Sequence, residues 1–392
     1  MTFNAFEIIF LVLLIICLII QLLYYWIVLF KPYSYIRPLT DNDLQTPMFL
    51  PSVSIIISII KSNNDFIRYL TEILEQNYPE FEVIVVTDEI YDSEMEILEN
   101  LKKQYPNLYS THVPKETRNV SRKKLALTLG IKASKYDKLL FTEPDSYVRS
   151  DLWIFSMARH FSDEKSIILG CSAVENAENI PQKYVVYDYF ISNLQMISLA
   201  VMNHPYAGNG RNMAYSKQHF IEQRGFVKHR LLQKGEDDLF INEITTCENT
   251  VVDLTPQSMI LTEMKDFRDW KRYKVDKMLT KSFYKRGPVA FWRFENFTRL
   301  VFFITFIACI IYGFPYKTMP DLLITGTALF CLITRFISQY IVINKTLEKL
   351  ELEKFNITIF LFDIIQPFIN LYFYIYRLFK EKENYTYRYE NR

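Results

Sequence analysis

Runs of apolar residues divide the chain into a membrane-like part at each end and a mixed part between them. From Phe6 to Phe30 nearly every residue is apolar, and only Glu7 and Gln21 interrupt the run. A helix rises ~1.5 Å per residue, so this run is long enough to cross a bilayer. It lacks a basic segment before it and a small-residue cleavage site. We therefore expect residues 1–32 to form an uncleaved transmembrane anchor.

Residues 298–380 predict further membrane segments. Leu300–Tyr312 with its flanks and Leu322–Ile343 are each apolar enough to span a bilayer. The last apolar segment, Ile357–Tyr376, carries polar residues and a proline at position 367. It either crosses the bilayer or bends back at Pro367 as a re-entrant element, and we favour the span.

Basic residues in and beside these segments indicate the orientation. Lys31 and Arg37 follow the anchor, and cytoplasmic flanks are enriched in such residues. We therefore expect a multi-pass protein of the cell membrane whose central domain is cytoplasmic. The flanks of the last apolar run, Lys345–Lys354 and Arg377–Lys382, both contain basic residues and both look cytoplasmic, although a span would separate them, so the charge rule does not decide whether this run spans. Arg335 lies within a predicted span and should face protein or reach toward the membrane surface.

Between Pro51 and about Thr262, short apolar runs alternate with stretches of helical spacing. Strand, helix and strand repeated in this order predict an α/β domain with a mostly parallel sheet, which we assign to residues 51–264. The predicted strands are Val53–Ile60, Glu82–Thr87, Leu108–His112, Lys138–Thr142 and Ser166–Val174, and the predicted helices are Phe66–Gln76, Ser93–Lys103, Lys123–Ser134 and Leu152–Phe161.

A basic segment follows this domain. Lys265–Arg286 interleaves lysines and arginines with aromatic residues such as Phe267, Trp270 and Tyr273. This composition is typical of a helix in the membrane interface, and a solvated surface helix is the alternative. We assign residues 265–290 to an interfacial helix in contact with membrane lipid.

Composition excludes several classes of function. The 392 residues carry a formal net charge of +1, so nothing global indicates a nucleic-acid partner. The five cysteines and five histidines show no spacing typical of a disulfide framework or a zinc site. Half of the residues are hydrophobic, which agrees with a membrane protein.

Two carboxylates, Glu143 and Asp145, follow the fourth predicted strand on either side of Pro144. At this spacing both can turn toward one Mg²⁺ or Mn²⁺ ion and the phosphates of a nucleotide. Asp88 follows the second predicted strand, where a carboxylate can accept a hydrogen bond from a base or a ribose. Ligands of parallel sheets bind beyond the carboxyl ends of the strands, so these residues indicate one site. An ordinary acidic turn is the alternative.

Two further motifs carry candidate binding groups. Lys124 opens a predicted helix beside Lys123 and is a candidate contact to a diphosphate. The run from Gly208 to Asn212 has two glycines within three residues in a chain that is poor in glycine. Glycine permits positive φ and close approach of the backbone to a ligand, although a turn before a strand explains the glycines equally well.

The third motif is the acidic run Glu236-Asp237-Asp238, which precedes a predicted amphipathic helix. One or two carboxylates favour a helix N-terminus through capping and the helix dipole. A third is repelled by its neighbours unless a cation or a raised pKa relieves it. A general base that takes the proton of an attacking hydroxyl is the functional interpretation.

In this order the motifs resemble those of a membrane-bound family-2 glycosyltransferase with the GT-A fold, over roughly Pro51 to Arg286. The resemblance implies that Asp88 holds the nucleotide and that Asp145, with Glu143, binds the metal and the diphosphate. It implies a catalytic base at Asp238, aligned with the family's D-D-x-x-L, or at Asp237 in an alternative alignment through E-D. It also implies a sugar and acceptor site formed by Gly208, Gly210, Arg211, Asn212 and Glu236.

Three departures from the family pattern are present. Glu143 with Pro144 stands where D-x-D is usual, Lys61–Asp65 lacks the common R-N-E, and Trp270–Asp276 offers no equivalent of the Q-x-x-R-W of processive members. The resemblance implies an inverting transferase that moves a sugar from a nucleotide-diphosphate sugar, of the UDP type, to a lipid-linked or glycan hydroxyl. A catalytically degenerate sugar-nucleotide-binding or scaffolding protein and a short-chain processive synthase are the alternatives.

Overall fold

The computed structural model describes residues 5–45, 50–59, 65–87, 92–114, 121–175, 177, 179–264, 267–314 and 318–380. The chain forms two compact units. The first joins Met1–Ser34 to Lys285–Ile375, and the second contains Tyr35–Tyr284.

Ten strands and thirteen α-helices occur in the described residues. The strands are β1 (Val53–Ile59), β2 (Phe81–Thr87), β3 (Leu108–His112), β4 (Lys138–Thr142), β5 (Ser146–Val148), β6 (Ile167–Leu169), β7 (Ser172–Val174), β8 (Met213–Ser216), β9 (Thr250–Val252) and β10 (Ile260–Thr262). The helices are α1 (Ala5–Leu23), α2 (Asp41–Gln45), α3 (Phe66–Leu74), α4 (Asp92–Gln104), α5 (Arg122–Ala133), α6 (Trp153–Ala158), α7 (Ile180–Val201), α8 (Lys217–Glu222), α9 (Asp238–Ile244), α10 (Phe267–Thr280), α11 (Arg286–Gly313), α12 (Met319–Lys349) and α13 (Thr358–Lys380).

The second unit is built on a seven-stranded sheet in the order β3-β2-β1-β4-β8-β6-β9. β1 pairs in parallel with β2 and β4, β2 with β3, and β6 with β9. β8 runs antiparallel to both of its neighbours. The sheet is therefore mostly parallel, and the predicted α/β class is confirmed.

The central strands are apolar on both faces because helices cover both sides of the sheet. Val83 and Val85 of β2 pack in the core that includes α3 and α6, whereas Ile84 and Val86 pack on the opposite face with Ala126 of α5. Successive side chains of a strand point to opposite faces, so a strand between two helical layers needs apolar residues at every position. The apolar stretches at positions 55–57 of β1, 83–86 of β2 and 139–141 of β4 satisfy this requirement.

The predicted strand Ser166–Val174 is two strands in the structure. Ile167–Leu169 joins the large sheet, whereas Ser172–Val174 joins a three-stranded sheet in the order β5-β10-β7. The chain passes between the sheets at Gly170, where a Cβ atom would lie 2.4 Å from the side chain of Asn212. An apolar run records burial but not the sheet to which each residue belongs, so the break was not predicted. The helix expected over Leu152–Phe161 is also shorter and spans only α6.

The first unit contains α1, α11, α12 and α13. Four helices of the described chain are long and apolar enough to cross a membrane: Ala5–Ser34, Arg286–Gly313, Met319–Lys349 and Thr358–Phe379. α1 continues through a π-helical stretch, Tyr24–Leu29. α13 runs through Pro367 as one helix, which fits the expected span better than the re-entrant alternative.

Candidate functional site

A cavity of about 790 Å³ lies at the carboxyl end of β4 in the second unit. The residues after β4, the start of α5, the loop before α9 and one face of α10 line it. Ligands of α/β sheets bind beyond the carboxyl ends of parallel strands. The cavity therefore has the location and the size of a small-molecule site.

The two carboxylates that follow β4 are both paired with cations in this cavity. Arg211 Nη2 lies 2.6 Å from Asp145 Oδ2, and Arg211 Nε donates to Thr262 Oγ1 at 3.0 Å. Lys123 Nζ lies 2.5 Å from Glu143 Oε1 and 2.9 Å from Glu236 Oε1. Burial alone would raise the pKa of Asp145, but the Arg211 guanidinium holds it below its usual value. Asp145 is therefore ionised at neutral pH.

The charge of the cavity favours a cation when a diphosphate is bound. Eight carboxylates and six cationic side chains are among the described lining residues, namely Glu143, Asp145, Glu236, Asp237, Asp238, Glu263, Asp269, Asp276, Arg122, Lys123, Arg211, Lys234, Arg272 and Lys277. A diphosphate adds negative charge to a site in which carboxylates already predominate.

No group of three or more protein side chains in the described part of the chain is arranged to hold a metal by itself. Mg²⁺ does not need one, since it is usually held by one or two carboxylates together with phosphates and water. Asp145 and Glu143 both line the cavity and provide oxygen ligands of this kind. They fit a cation that is shared with a diphosphate.

Asp237 and Asp238 are neighbours in sequence but differ in their surroundings. Asp237 Oδ2 accepts from Gly210 N at 3.1 Å and pairs with Lys277 Nζ at 2.8 Å, and its side chain is 16% exposed. Asp238 Oδ2 accepts from Thr280 Oγ1 and from Tyr284 OH, both at 2.6 Å. The Asp238 side chain is only 2% exposed. Asp237 therefore faces the cavity more openly, whereas Asp238 is held by hydrogen bonds.

The two carboxylates also differ in pKa. Burial raises the pKa of Asp238, and the charge of Asp237 adds to this, although Lys277 offsets part of the effect. Burial would also raise the pKa of Asp237, but Lys277 and Lys123 lower it well below its usual value. Opposite shifts in two adjacent carboxylates are a feature of sites in which one group handles a proton.

The glycine-containing run places only part of its sequence in the cavity. Arg211 lines the cavity, and Gly210 lies beside two of its residues, since a Cβ atom on Gly210 would lie 3.2 Å from Glu143 Oε1 and 3.2 Å from Asp237 Cβ. A Cβ atom on Gly208 would instead lie 2.7 Å from Ile241 Cγ1 of α9. Neither glycine has a positive φ, since the positive-φ glycines of the described residues are Gly225 and Gly235. Close approach, rather than a left-handed backbone, explains the two glycines.

Asn212, another candidate residue, is bound by structural partners. Asn212 is fully buried and donates to the carbonyl oxygens of Cys171 and Ser258 at 2.7 and 2.8 Å. The Asn212 side-chain oxygen Oδ1 accepts from Trp153 Nε1 at 3.1 Å. Both polar atoms of the Asn212 side chain are therefore engaged by the protein, and Asn212 is not among the described residues that line the cavity. Asp88 lies outside the described residues.

Lys124 was expected to contact a diphosphate, but its ammonium group is bound elsewhere. Lys124 Nζ donates to the carbonyl oxygens of His229, Leu232 and Lys234 at 2.7, 2.8 and 2.9 Å. Lys123, the neighbouring residue, lies at the cavity instead. Successive helix residues point in directions about 100° apart, so only one of two adjacent lysines can face the site.

Helix α10 supplies cavity residues that the sequence motifs did not reveal. Asp269, Arg272, Tyr273, Asp276, Lys277 and Thr280 all line the cavity. Their spacing of three and four residues is the period of one helix face. Other positions of α10 are buried against the domain: Trp270 and Lys274 both donate hydrogen bonds to Asp188 of α7. The helical spacing of these residues could have identified this face from the sequence, but the basic composition of the segment led to its interpretation as an interfacial helix.

Residues 54–220 match the model of Glycosyl transferase family 2. This domain belongs to glycosyl transferase family 2. The matched residues include all of β1 except Val53, and also Glu143, Asp145 and the run from Gly208 to Asn212. The acidic run before α9 lies beyond the match.

The family 2 domain has the GT-A fold. The structure is similar to that of the mannosyltransferase PcManGT from Pyrobaculum calidifontis, which was determined in complex with GDP-Man and Mn²⁺, with a TM-score of 0.53. The two are 16% identical, and the similarity covers 88% of this chain and 98% of that chain. At this identity the similarity supports the fold. The sequence matches no curated protein.

Proposed function

We propose that the protein is a membrane-bound inverting glycosyltransferase that moves a sugar from a nucleotide-diphosphate sugar to a hydroxyl acceptor. The observation that carries the proposal is that one cavity contains both acidic motifs, Glu143 with Asp145 and Asp237 with Asp238. Inverting transfer needs charge neutralisation at the departing diphosphate and a base at the acceptor hydroxyl. The family 2 domain contributes the same expectation.

The residues near β4 are the proposed diphosphate end of the site. Mg²⁺ or Mn²⁺ held by Asp145 and Glu143 would neutralise charge on the departing diphosphate. Arg211 and Lys123, which pair with these carboxylates, are positioned to bind phosphate oxygens as well. PcManGT was solved with GDP-Man and Mn²⁺, which supports a nucleotide sugar and a divalent cation. We propose a UDP-sugar as the donor and regard GDP-mannose as the competing candidate.

Asp237 is the proposed catalytic base. It is the more exposed of the two adjacent carboxylates and is ionised, whereas each oxygen of Asp238 already accepts a hydrogen bond from the protein. A base must reach the proton that it removes, either directly or through one water molecule. Asp237 would accept the proton of the acceptor hydroxyl as the oxygen attacks the anomeric carbon, and the diphosphate leaves from the opposite face. Asp238 would hold the start of α9 in position.

The acceptor is proposed to be lipid-linked or a surface glycan, because the chain contains four helices that are long and apolar enough to span a membrane. The catalytic domain is proposed to be cytoplasmic, where nucleotide sugars are available. Lys31 and Arg37 after the first span support this orientation.

The test is a donor screen with the full-length protein in nanodiscs. Nucleotide release would be measured with UDP-glucose, UDP-N-acetylglucosamine and GDP-mannose, with and without Mg²⁺ or Mn²⁺. We expect Asp237→Asn to reduce kcat by about 10²- to 10⁴-fold, the usual range for a lost general base, and Asp238→Asn to have a smaller effect. Activity that survives Asp237→Asn but not Asp238→Asn would move the base to Asp238. Activity that survives both substitutions would contradict the mechanism.

The same screen separates the competing functions. Nucleotide-sugar binding without turnover would favour a degenerate transferase. A ladder of products, rather than a single added sugar, would favour a short-chain processive synthase.

A further inference from the structure

Lys277 of α10 lies between the two adjacent carboxylates of the acidic run. Its Nζ atom is 2.8 Å from Asp237 Oδ2 and 3.4 Å from Asp238 Oδ2. The Lys277 side chain is only 21% exposed. One ammonium group from a different element therefore contacts two carboxylates at once.

The arrangement resolves a conflict in charge. Two ionised carboxylates on neighbouring residues repel each other, and in a poorly hydrated site such a pair tends to keep one proton. An ammonium group within about 4 Å favours the ionised form of both. Burial and the charge of Asp237 raise the pKa of Asp238, whereas Lys277 lowers the pKa of Asp237. Asp237 is therefore the carboxylate that stays ionised.

We propose that Lys277 is a positioning residue for transfer: its ammonium group keeps Asp237 ionised and fixes the carboxylate at the cavity so that it can accept the acceptor's proton. This inference rests on the proposed function and on Asp237 as its base. No covalent change occurs at Lys277, which keeps its three protons throughout.

Other charged and titratable groups surround the pair. Lys123 of α5 acts on Asp237 in the same direction as Lys277, but from the diphosphate side of the cavity. The remaining charged or titratable groups that surround the pair on the adjacent elements are Lys124, Lys234, Glu236, Tyr273, Asp276, Lys281 and Tyr284. Of the lysines in this set, Lys277 is the one whose ammonium group contacts both aspartates.

Helix α10 offers a matched control one turn earlier. Lys274 is also buried and ion-paired, with Nζ 2.6 Å from Asp188 Oδ1. Its partner belongs to α7, and neither residue lines the cavity. Lys274→Met therefore removes a buried lysine from the same helix without removing the cation beside Asp237.

The experiment measures kcat/KM against pH for the full-length wild type, Lys277→Met, Lys277→Arg and Lys274→Met in nanodiscs. We expect Lys277→Met to move the acid limb of the profile upward by about one to three pH units, the range of shift that one nearby charge produces. The variant should therefore lose activity at acidic pH values at which the wild type is still active, and should recover as the pH rises toward neutrality, with donor KM little changed. Lys277→Arg should keep the wild-type limb, and so should Lys274→Met, even if its thermal midpoint falls.

A second measurement does not depend on turnover. Infrared difference spectra report protonated carboxyl groups, and we expect Lys277→Met to show one at acidic pH values at which the wild type shows none; this band should disappear in Lys277→Met/Asp237→Asn. A wild-type acid limb in Lys277→Met together with no new carboxyl band would overturn the proposal. If Lys277→Met does not fold, a shifted limb in Lys277→Gln supports the proposal and an unshifted limb overturns it. Absence of turnover by the wild type with every donor would instead refute the proposed function, and the infrared result would still decide the role of Lys277.

Discussion

Lys123 and Lys124 follow one another at the start of α5, yet their ammonium groups lie in different environments. Lys123 bridges Glu143 and Glu236 at the cavity. Lys124 is 1% exposed and donates to three backbone carbonyls in the segment 229–234. The pair shows why the sequence located the site but did not assign its residues. A lysine pair at a helix start indicates positive charge, whereas the helix phase, which the structure supplies, decides which lysine faces the ligand.

Lys124 leads to a prediction about the loop before α9. Lys124→Met leaves three buried carbonyl oxygens without their donor, and each unpaired buried group costs about 1–3 kcal/mol. We expect hydrogen exchange in residues 229–237 to accelerate and the thermal midpoint to fall. Mass-spectrometric exchange of the full-length protein checks this. Lys132→Met, an exposed lysine on the same helix, should change neither quantity, and unchanged exchange in Lys124→Met would show that the loop is held by other contacts.

At the scale of elements, prediction from sequence succeeded where the buried positions recur with the period of a strand or a helix. β3 and β4 were predicted to the residue, and β1, β2 and α3–α5 within two residues. These are long or strongly patterned elements of a parallel α/β layer. The three-residue strands β5, β9 and β10 are too short to produce a pattern, and α7 is buried over most of its circumference, so its polar face is minimal. The structure shows that α7 holds α10, since Asp188 of α7 accepts hydrogen bonds from α10.

Gly130 on α5 leads to a prediction about how closely this helix approaches the sheet. A Cβ atom at Gly130 would lie 2.8 Å from Ile56 Cγ2 and 3.2 Å from Val86 Cγ2. Gly130→Val must therefore push the helix from the sheet, and overpacking of this kind costs about 1–3 kcal/mol. We expect a lower thermal midpoint. We also expect a smaller rise of that midpoint when donor is added, because the start of the same helix carries Lys123. Ala133→Val, at an exposed position of α5, is the control. A midpoint equal to that of wild type in Gly130→Val would mean that the layers separate at little cost.

At the scale of the whole molecule, the first unit contains a polar network that the sequence only hinted at. Arg335, expected to face protein or reach toward the surface, is fully buried and bonds to Asp363. Arg299 Nη1 lies 3.3 Å from Asp363 Oδ1 and its Nη2 lies 2.7 Å from Glu295 Oε2. Gln21 accepts from Arg335 Nη2 at 3.2 Å. Each of the four apolar helices thus contributes to one buried polar network. Three of them supply two arginines and two carboxylates, whose charges balance, and α1 supplies the uncharged Gln21. Hydropathy identifies the helices but does not reveal which charged residues pair.

This network predicts how the first unit responds to the loss of one charge. Asp363→Leu leaves the guanidinium group of Arg335 without its main acceptor, and removing one partner of a buried ion pair costs about 3–5 kcal/mol. Replacement of both partners by apolar residues is often close to neutral, so Arg335→Met/Asp363→Leu should be more stable than Asp363→Leu alone, although Arg299 then keeps only Glu295 and Gln366. Thermal unfolding of the full-length variants in nanodiscs measures both effects as a double-mutant cycle. Additive losses in the double variant would mean that the two side chains stabilise the helices independently. A double variant more stable than Asp363→Leu would instead show that the cost is that of an unpaired charge, and that the pair serves mainly to select one packing of four otherwise apolar helices.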